Sequence, residues 1–160
     1  MFTKHYCALA LVFPCVLTAQ ETAVHVSGDV KQPLSLTAEE LSKMPRASVT
    51  ITARGTQTVY QGVWLHDLLK RAGVPQGSAL RGKALAGYVL AQARDGYQVV
   101  FSLAEADPAF IDNEVLVADS ADGNPLSAKE GPVRLVVPKD KIAARSVRML
   151  TRLEVVQLRK

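Results

Sequence analysis

Residues 131–158 read GPVRLVVPKDKIAARSVRMLTRLEVVQL, and they hold two strand-like apolar runs, Val133 to Val137 and Val147 to Leu158. A loop rich in Lys and Arg joins them. From Arg134 to the end stand eight bases (Arg134, Lys139, Lys141, Arg145, Arg148, Arg152, Arg159, Lys160) against two acids, Asp140 and Glu154. The segment is therefore +6, while the whole chain is +4 and residues 1–133 sum to −2. Such local charge has an anionic guest as its natural partner, or else it is a solvated strand face followed by a basic tail.

Working outward, 160 residues with 48% hydrophobic and 21% charged composition describe one folded globular domain. The first residues stand apart from it. Lys4 and His5 make a positive start, Cys7 to Leu17 is apolar, and Thr18-Ala19-Gln20 is a small polar end. This is the layout of a secretory signal peptide, with cleavage expected after Ala19, a domain over residues 20–160, and a periplasmic or secreted location. The apolar run is about 11 residues where a membrane-crossing helix needs roughly 20, so no transmembrane span is expected. Phe13 and Pro14 before Cys15 are poor approach residues for a lipidated cysteine.

Cys7 and Cys15 are the two cysteines of the chain, so residues 20–160 have none. That stretch offers no disulfide, no thiolate nucleophile and no Cys-held zinc or iron–sulfur cluster. Burial alone must stabilise it, and about 140 residues suffice for that.

Along the chain, Ala23 to Ser27 alternates as a strand ending in the Gly28-Asp29 turn. Thr37 with Glu40 forms a capping box with a Leu36/Leu41 staple, so a short helix starts at Ala38 and stops by Pro45. Ser48 to Ala53 predicts a strand with Val49, Ile51 and Ala53 facing inward. Leu65, Leu68, Leu69 and Ala72 repeat at helical spacing before Gly73 and Pro75. Leu85 to Ala93 and Gln98 to Ser102 flank Asp95-Gly96 as a hairpin. Ser102 with Glu105 predicts one capped helical turn, Glu114 to Ala118 a strand, and Asp122 to Pro125 a turn. Short strands with a few short helices, and no repeat or linker, give an α+β fold with mixed β-sheets.

Several motifs fail as chemistry. Residues 77–84, GSALRGKA, approach a phosphate-binding loop but put Ala84 where the magnesium-holding hydroxyl belongs, and no strand leads in; they read as a surface loop. His25 and His66 are the histidines after the leader, and no Gly-x-Ser-x-Gly elbow accompanies them; His66 on a helix reads as structural. Asp95, Asp107, Asp112, Glu114 and Asp119 have no spacing that favours a paired acid and base, and Asp95 belongs to its turn. An export leader and sparse aromatics argue against nucleic acid. A phosphate or carboxylate on a small molecule fits the basic loop, with Arg134, Arg145 and Arg148 as bidentate donors and Lys139 and Lys141 adding charge.

Gly131-Pro132-Val133-Arg134-Leu135-Val136-Val137-Pro138, followed by Ala143-Ala144-Arg145-Ser146-Val147-Arg148, resembles the end of the molybdopterin-binding domain of sulfite-oxidase-type enzymes. That family carries a Gly-x-Pro-x-Arg strand and then Gly-Ala-Arg-x-Val-Lys-Trp. Upstream, Asp122-Gly123-Asn124-Pro125-Leu126 resembles its Asn-Gly-x-x-Leu turn, and Gly96-Tyr97 with Phe101-Ser102-Leu103 the segment before it. Gly62-Val63-Trp64-Leu65-His66-Asp67-Leu68-Leu69 resembles its Gly-Val-x-Leu-x-Asp-Leu-Leu helix, and Leu36 to Pro45 its early Leu-x-x-Leu-Pro element. Active members of the family place a molybdenum-binding cysteine at the end of the strand before that helix. Here the strand reads Thr50-Ile51-Thr52-Ala53-Arg54, and hydroxyls and methyls do not replace a soft thiolate. Ala143 stands for a glycine and Met149 for a tryptophan, and the longer N-terminal part of full enzymes has no counterpart.

The residues themselves fix no cofactor, no metal ligand and no catalytic residue; the resemblance implies molybdopterin as the cofactor. It also places Arg54 beside the vacant cysteine position, as a substrate contact or as plain surface charge, and Tyr97 at the pocket mouth or in cross-strand packing. The expected function is an exported domain binding an anionic ligand of pterin or phosphate type without redox catalysis. A non-catalytic interaction module of a periplasmic redox system is the alternative, and an active molybdenum oxidoreductase the third. The partners implied are a small anionic molecule or a periplasmic redox partner protein.

Overall fold

A computed structural model describes residues 21–158; residues 1–20, on which the expected signal peptide and both cysteines fall, and Arg159 and Lys160 lie outside the described residues. In chain order the elements are β1 (Thr22–Gly28), β2 (Leu34–Thr37), α1 (Ala38–Ser42), β3 (Ala47–Ala53), β4 (Thr56–Trp64), α2 (Leu65–Arg71), β5 (Gly87–Ala93), β6 (Gln98–Ser102), β7 (Leu116–Ala121), β8 (Asn124–Pro125), β9 (Arg134–Val136) and β10 (Leu150–Gln157). They form two five-stranded sheets. One has the order β2-β1-β10-β5-β6; the other has β3-β4-β7-β8, with β9 also paired to β7. Every pairing is antiparallel except β1 with β10, which makes the first sheet mixed. The expected α+β class holds.

The sheets pack where strand alternation puts apolar side chains on facing sides. On β5, Gly87, Val89, Ala91 and Ala93 are buried and the residues between them half-buried. Val63, Val117 and Leu135 of the second sheet join Val24, Val26, Phe101, Leu153 and Val155 of the first in the main core. The opposite face of the second sheet carries a smaller cluster of Leu116, Ala118 and Val136, with Val49, Ile51, Tyr60 and Trp64 packed around it. Gly62 lets β4 and β7 approach, since a Cβ there would lie 2.0 Å from the Val117 carbonyl oxygen.

Both helices lie where their local signals put them. The Thr37 hydroxyl accepts from the Glu40 amide (3.2 Å), and the Glu40 carboxylate accepts from the Thr37 amide (2.9 Å), completing the capping box of α1. Helix α2 buries Leu65, Leu68 and Leu69. It ends at Gly73 in the left-handed region (φ 78°), with Val74 donating to Leu69 and Gly73 to Lys70, a Schellman closure.

Several elements depart from expectation. The strand expected from Val147 starts only at Leu150, because Met149 sits in the left-handed region (φ 48°). Ala53 is exposed rather than inward, because β3 runs past the core at the edge of its sheet. A whole strand, β4, lies between the Thr50–Arg54 stretch and α2. The Ser102 hydroxyl does accept from the Glu105 amide (3.0 Å), but only turns follow, for the Glu105 carboxylate is drawn to Arg145 instead of closing the box.

Candidate functional site

The segment after β9 folds back on itself and makes a wall. Leu135 donates to the Val147 carbonyl (2.8 Å), Leu150 to Val133 (2.9 Å), and the Ser146 hydroxyl accepts from the Val137 amide (3.1 Å). The loop between crosses the outer face of the second sheet. It meets the end of β3 across a cleft of about 300 Å³, whose lining includes Thr52, Ala53, Tyr60, Arg134, Asp140 and Arg148. The Thr50–Ala53 stretch that sequence marks as the vacant cysteine position thus faces the basic segment.

Strand pairing positions Arg134. On β9 it stands opposite Ala118 of β7, so its side chain shares the outer face with Tyr60. The guanidinium lies 4.8 Å from the Tyr60 ring centroid, a stacked cation–π contact. Its Nη1 donates to Tyr60 Oη (3.0 Å) and to the Glu130 carboxylate. Its Nη2 makes no hydrogen bond among the described residues. Arg134 is 7% exposed and lines the cleft. Arg148 lies on the same cleft, exposed and without an ion pair among the described residues.

The other expected donors are elsewhere. Arg145 does not join Arg134 and Arg148 in one grip. Its fork clamps Asp140 (Nε–Oδ2 2.8 Å, Nη2–Oδ1 2.6 Å), its Nη1 bonds Glu105, and its guanidinium stacks 5.0 Å from the Phe101 ring centroid. These carboxylates, Asp140 first and then Glu105, raise the Arg145 pKa above its ordinary value. Lys139 pairs with Asp112 on a separate, open depression that Arg145 also lines. Lys141 is exposed on the loop without an ion pair among the described residues. Arg54 stands at the tip of the β3–β4 turn, exposed, in the left-handed region (φ 50°), next to the cleft-lining Ala53 but off the lining itself. Tyr97 donates its hydroxyl to the Ala144 carbonyl (2.8 Å) and edges a second depression shared by Asp95 and Arg148. Asp95 accepts from the Tyr97 amide within its turn, and the His66 ring stacks on Trp64.

Sequence reasoning missed the counterions. Glu130, Glu105 and Asp112 all lie outside the segment whose charge looked so uneven, and they neutralise three of its bases. Glu130, four positions before Arg134, was the one locally readable signal. The cleft lining carries Glu130 and Asp140 against Arg134 and Arg148, so its formal charge is balanced. The guanidinium of Arg148, with no ion pair among the described residues, remains for a guest.

Residues 10–160 match the oxidoreductase molybdopterin-binding domain family, and the chain belongs to that family. The crystal structure of the sulfane dehydrogenase SoxCD from Paracoccus pantotrophus is similar, with a TM-score of 0.66 and 24% identity. The likeness covers 85% of this chain and 38% of that chain, and it bears on fold alone. No curated protein matches.

The strand end facing the cleft offers Thr50, Ile51, Thr52 and Ala53, which supply hydroxyls and hydrocarbon but no soft ligand. Among the described residues no group of three or more His, Cys, Asp or Glu is placed to hold a metal ion. A molybdenum centre anchored by protein sulfur does not fit these residues.

Proposed function

We propose that this chain is an exported, redox-silent member of the molybdopterin-binding domain family that takes a small anionic ligand in the cleft beneath β3. The observation carrying this is that Arg134 and Arg148 line one cleft, Arg148 exposed and without an ion pair among the described residues, opposite a strand end that holds no cysteine. Guanidinium donors suit a phosphate, including the phosphate of a pterin. The leader-like residues 1–19 support export to the periplasm or beyond.

The test is calorimetric titration of purified protein with inorganic phosphate and with a pterin phosphate. Arg148→Ala should weaken binding by about 10- to 100-fold, the loss of one or two charge-assisted hydrogen bonds. No binding by the parent, or equal binding by the variant, overturns the ligand reading. Elemental analysis and pterin fluorescence on protein from its native export route test redox silence. One molybdenum per chain with oxygen-atom transfer would defeat it.

A second reading, a module that docks on a periplasmic redox partner, draws on a different observation. Ile142, at the crest of the cleft wall, is 78% exposed between Lys141 and Ala143, an unusual place for a large apolar side chain. Ile142→Ser would then abolish partner binding and leave phosphate titration unchanged.

A further inference from the structure

Residues 47–53 read Ala-Ser-Val-Thr-Ile-Thr-Ala, and about Thr50 the two flanks are chemical equals. Val49 mirrors Ile51, Ser48 mirrors Thr52, and Ala47 mirrors Ala53. This strand is β3, which has β4 on one side and no strand on the other among the described residues. Arg54 and Gly55, with φ of 50° and 81°, connect it to β4. Two central residues at positive φ make a type I′ turn, and its flanking pair, Ala53 and Thr56, exchanges both ladder bonds. Counting back in twos, Ala53, Ile51, Val49 and Ala47 aim their backbone groups at β4. Ser48, Thr50 and Thr52 aim theirs away, and their side chains are exposed. No charge and no proline interrupts the seven residues, although proteins usually blunt a β-branched edge by such means.

We infer that β3 pairs with β3 of a second copy, antiparallel about a twofold axis through Thr50. In that register Ser48 meets the partner's Thr52, and Thr50 meets the partner's Thr50. Each such pair exchanges two bonds, roughly six in all. Val49 faces the partner's Ile51, a favourable β-branched cross-strand pair, and the hydroxyl residues face one another on the opposite side. The apolar strip of Val49, Ile51 and Tyr60 then continues across the axis.

Charge does not block the register. Arg54 comes opposite the partner's Arg46, and in each copy Arg46 is already forked onto Asp119 (both bonds 2.6 Å), which offsets the like-charge opposition. The mirrored strand gives each cross-axis pair matched chemistry, Ala with Ala, Ser with Thr and Val with Ile, which favours a second copy as the partner. Seven residues span about 23 Å, and an edge contact of that length buries a few hundred Å² per copy. A stable interface buries about 800 Å² per partner, so this dimer is weak, with a dissociation constant on the order of 10–100 μM. Thr50 and Thr52 also line the cleft, so the measurements below read association and not ligand binding.

Sedimentation velocity on the purified protein from about 1 μM to 1 mM tests it, with thermal melts of every variant as the folding control. The parent should pass from one chain mass to two. Thr50→Pro removes an outward N–H without touching the β4 ladder, and Thr50→Glu sets two carboxylates face to face on the axis. Each should shift the half-association concentration upward by about tenfold or more. With Cys7 and Cys15 replaced by Ser, Thr50→Cys should oxidise to a disulfide dimer much faster than Ser78→Cys, an exposed control. A parent that stays monomeric at 1 mM, association undiminished in Thr50→Glu, or equal crosslinking at positions 50 and 78 would each overturn the inference.

Discussion

Replacing Arg145 by Ala should cost stability, although the residue looks from sequence like a ligand donor. Its guanidinium makes three charge-assisted hydrogen bonds, two to Asp140 and one to Glu105, and covers the Phe101 ring. Such bonds are worth about 1.5–3 kcal/mol each when shielded. Here the three side chains are 32%, 17% and 23% exposed for Arg145, Asp140 and Glu105, so water replaces part of each bond and solvent screening reduces the rest. About 2–3 kcal/mol remains, including the penalty on two half-buried carboxylates that lose their cation. For a domain of this size that is a fall in Tm of roughly 6–9 °C. Because the Arg145 pKa is raised, its contribution is complete at every pH below the ordinary arginine value and fades only in strong alkali. The fall should therefore not depend on any titration of the guanidinium between about pH 6 and 9. Circular-dichroism melts of the parent, Arg145→Ala, Asp140→Asn and the double variant supply both the magnitude and the coupling, expected at about 1 kcal/mol or more. An Arg145→Ala protein melting within about 2 °C of the parent would refute the clamp.

Two other substitutions probe the frame. Gly62→Ala drives a methyl into the Val117 carbonyl, 2.0 Å away across the β4–β7 ladder; the strands must separate, and a loss above roughly 3 kcal/mol should leave little soluble folded protein in a denaturant titration. Thr37→Ala removes the side-chain half of the α1 capping box and should cost about 1 kcal/mol in the same assay, with Thr37→Ser recovering most of it.

What sequence could tell divides by range. The capping box at Thr37, the periodic Leu65, Leu68 and Leu69, and the Asp95-Gly96 hairpin are signals complete within a few residues, and each falls where expected. Strand β4 escaped because Thr56-Gln57-Thr58-Val59-Tyr60-Gln61 shows little apolar alternation at a sheet margin where burial is slight. The turn before it escaped because Arg54 takes a conformation that glycine or asparagine usually supplies. The site was half legible. Arg134 and Arg148 share the cleft, and Asp140 stands five positions from the Arg145 it clamps, but the second acid on Arg145 and the acid on Lys139 come from 40 and 27 positions away, beyond any count made along one segment.

The parallel pairing of β1 with β10 carries a consequence for how the molecule is made. The first strand is seated against the last, with Asp29 reaching Gln157 from 128 positions away, and the last strand lies in the middle of its sheet. Until β10 is in place that sheet is two separate ribbons, β2-β1 and β5-β6, and neither has its central partner. Trimming residues 150–160 would thus split a sheet down its centre rather than shorten a tail.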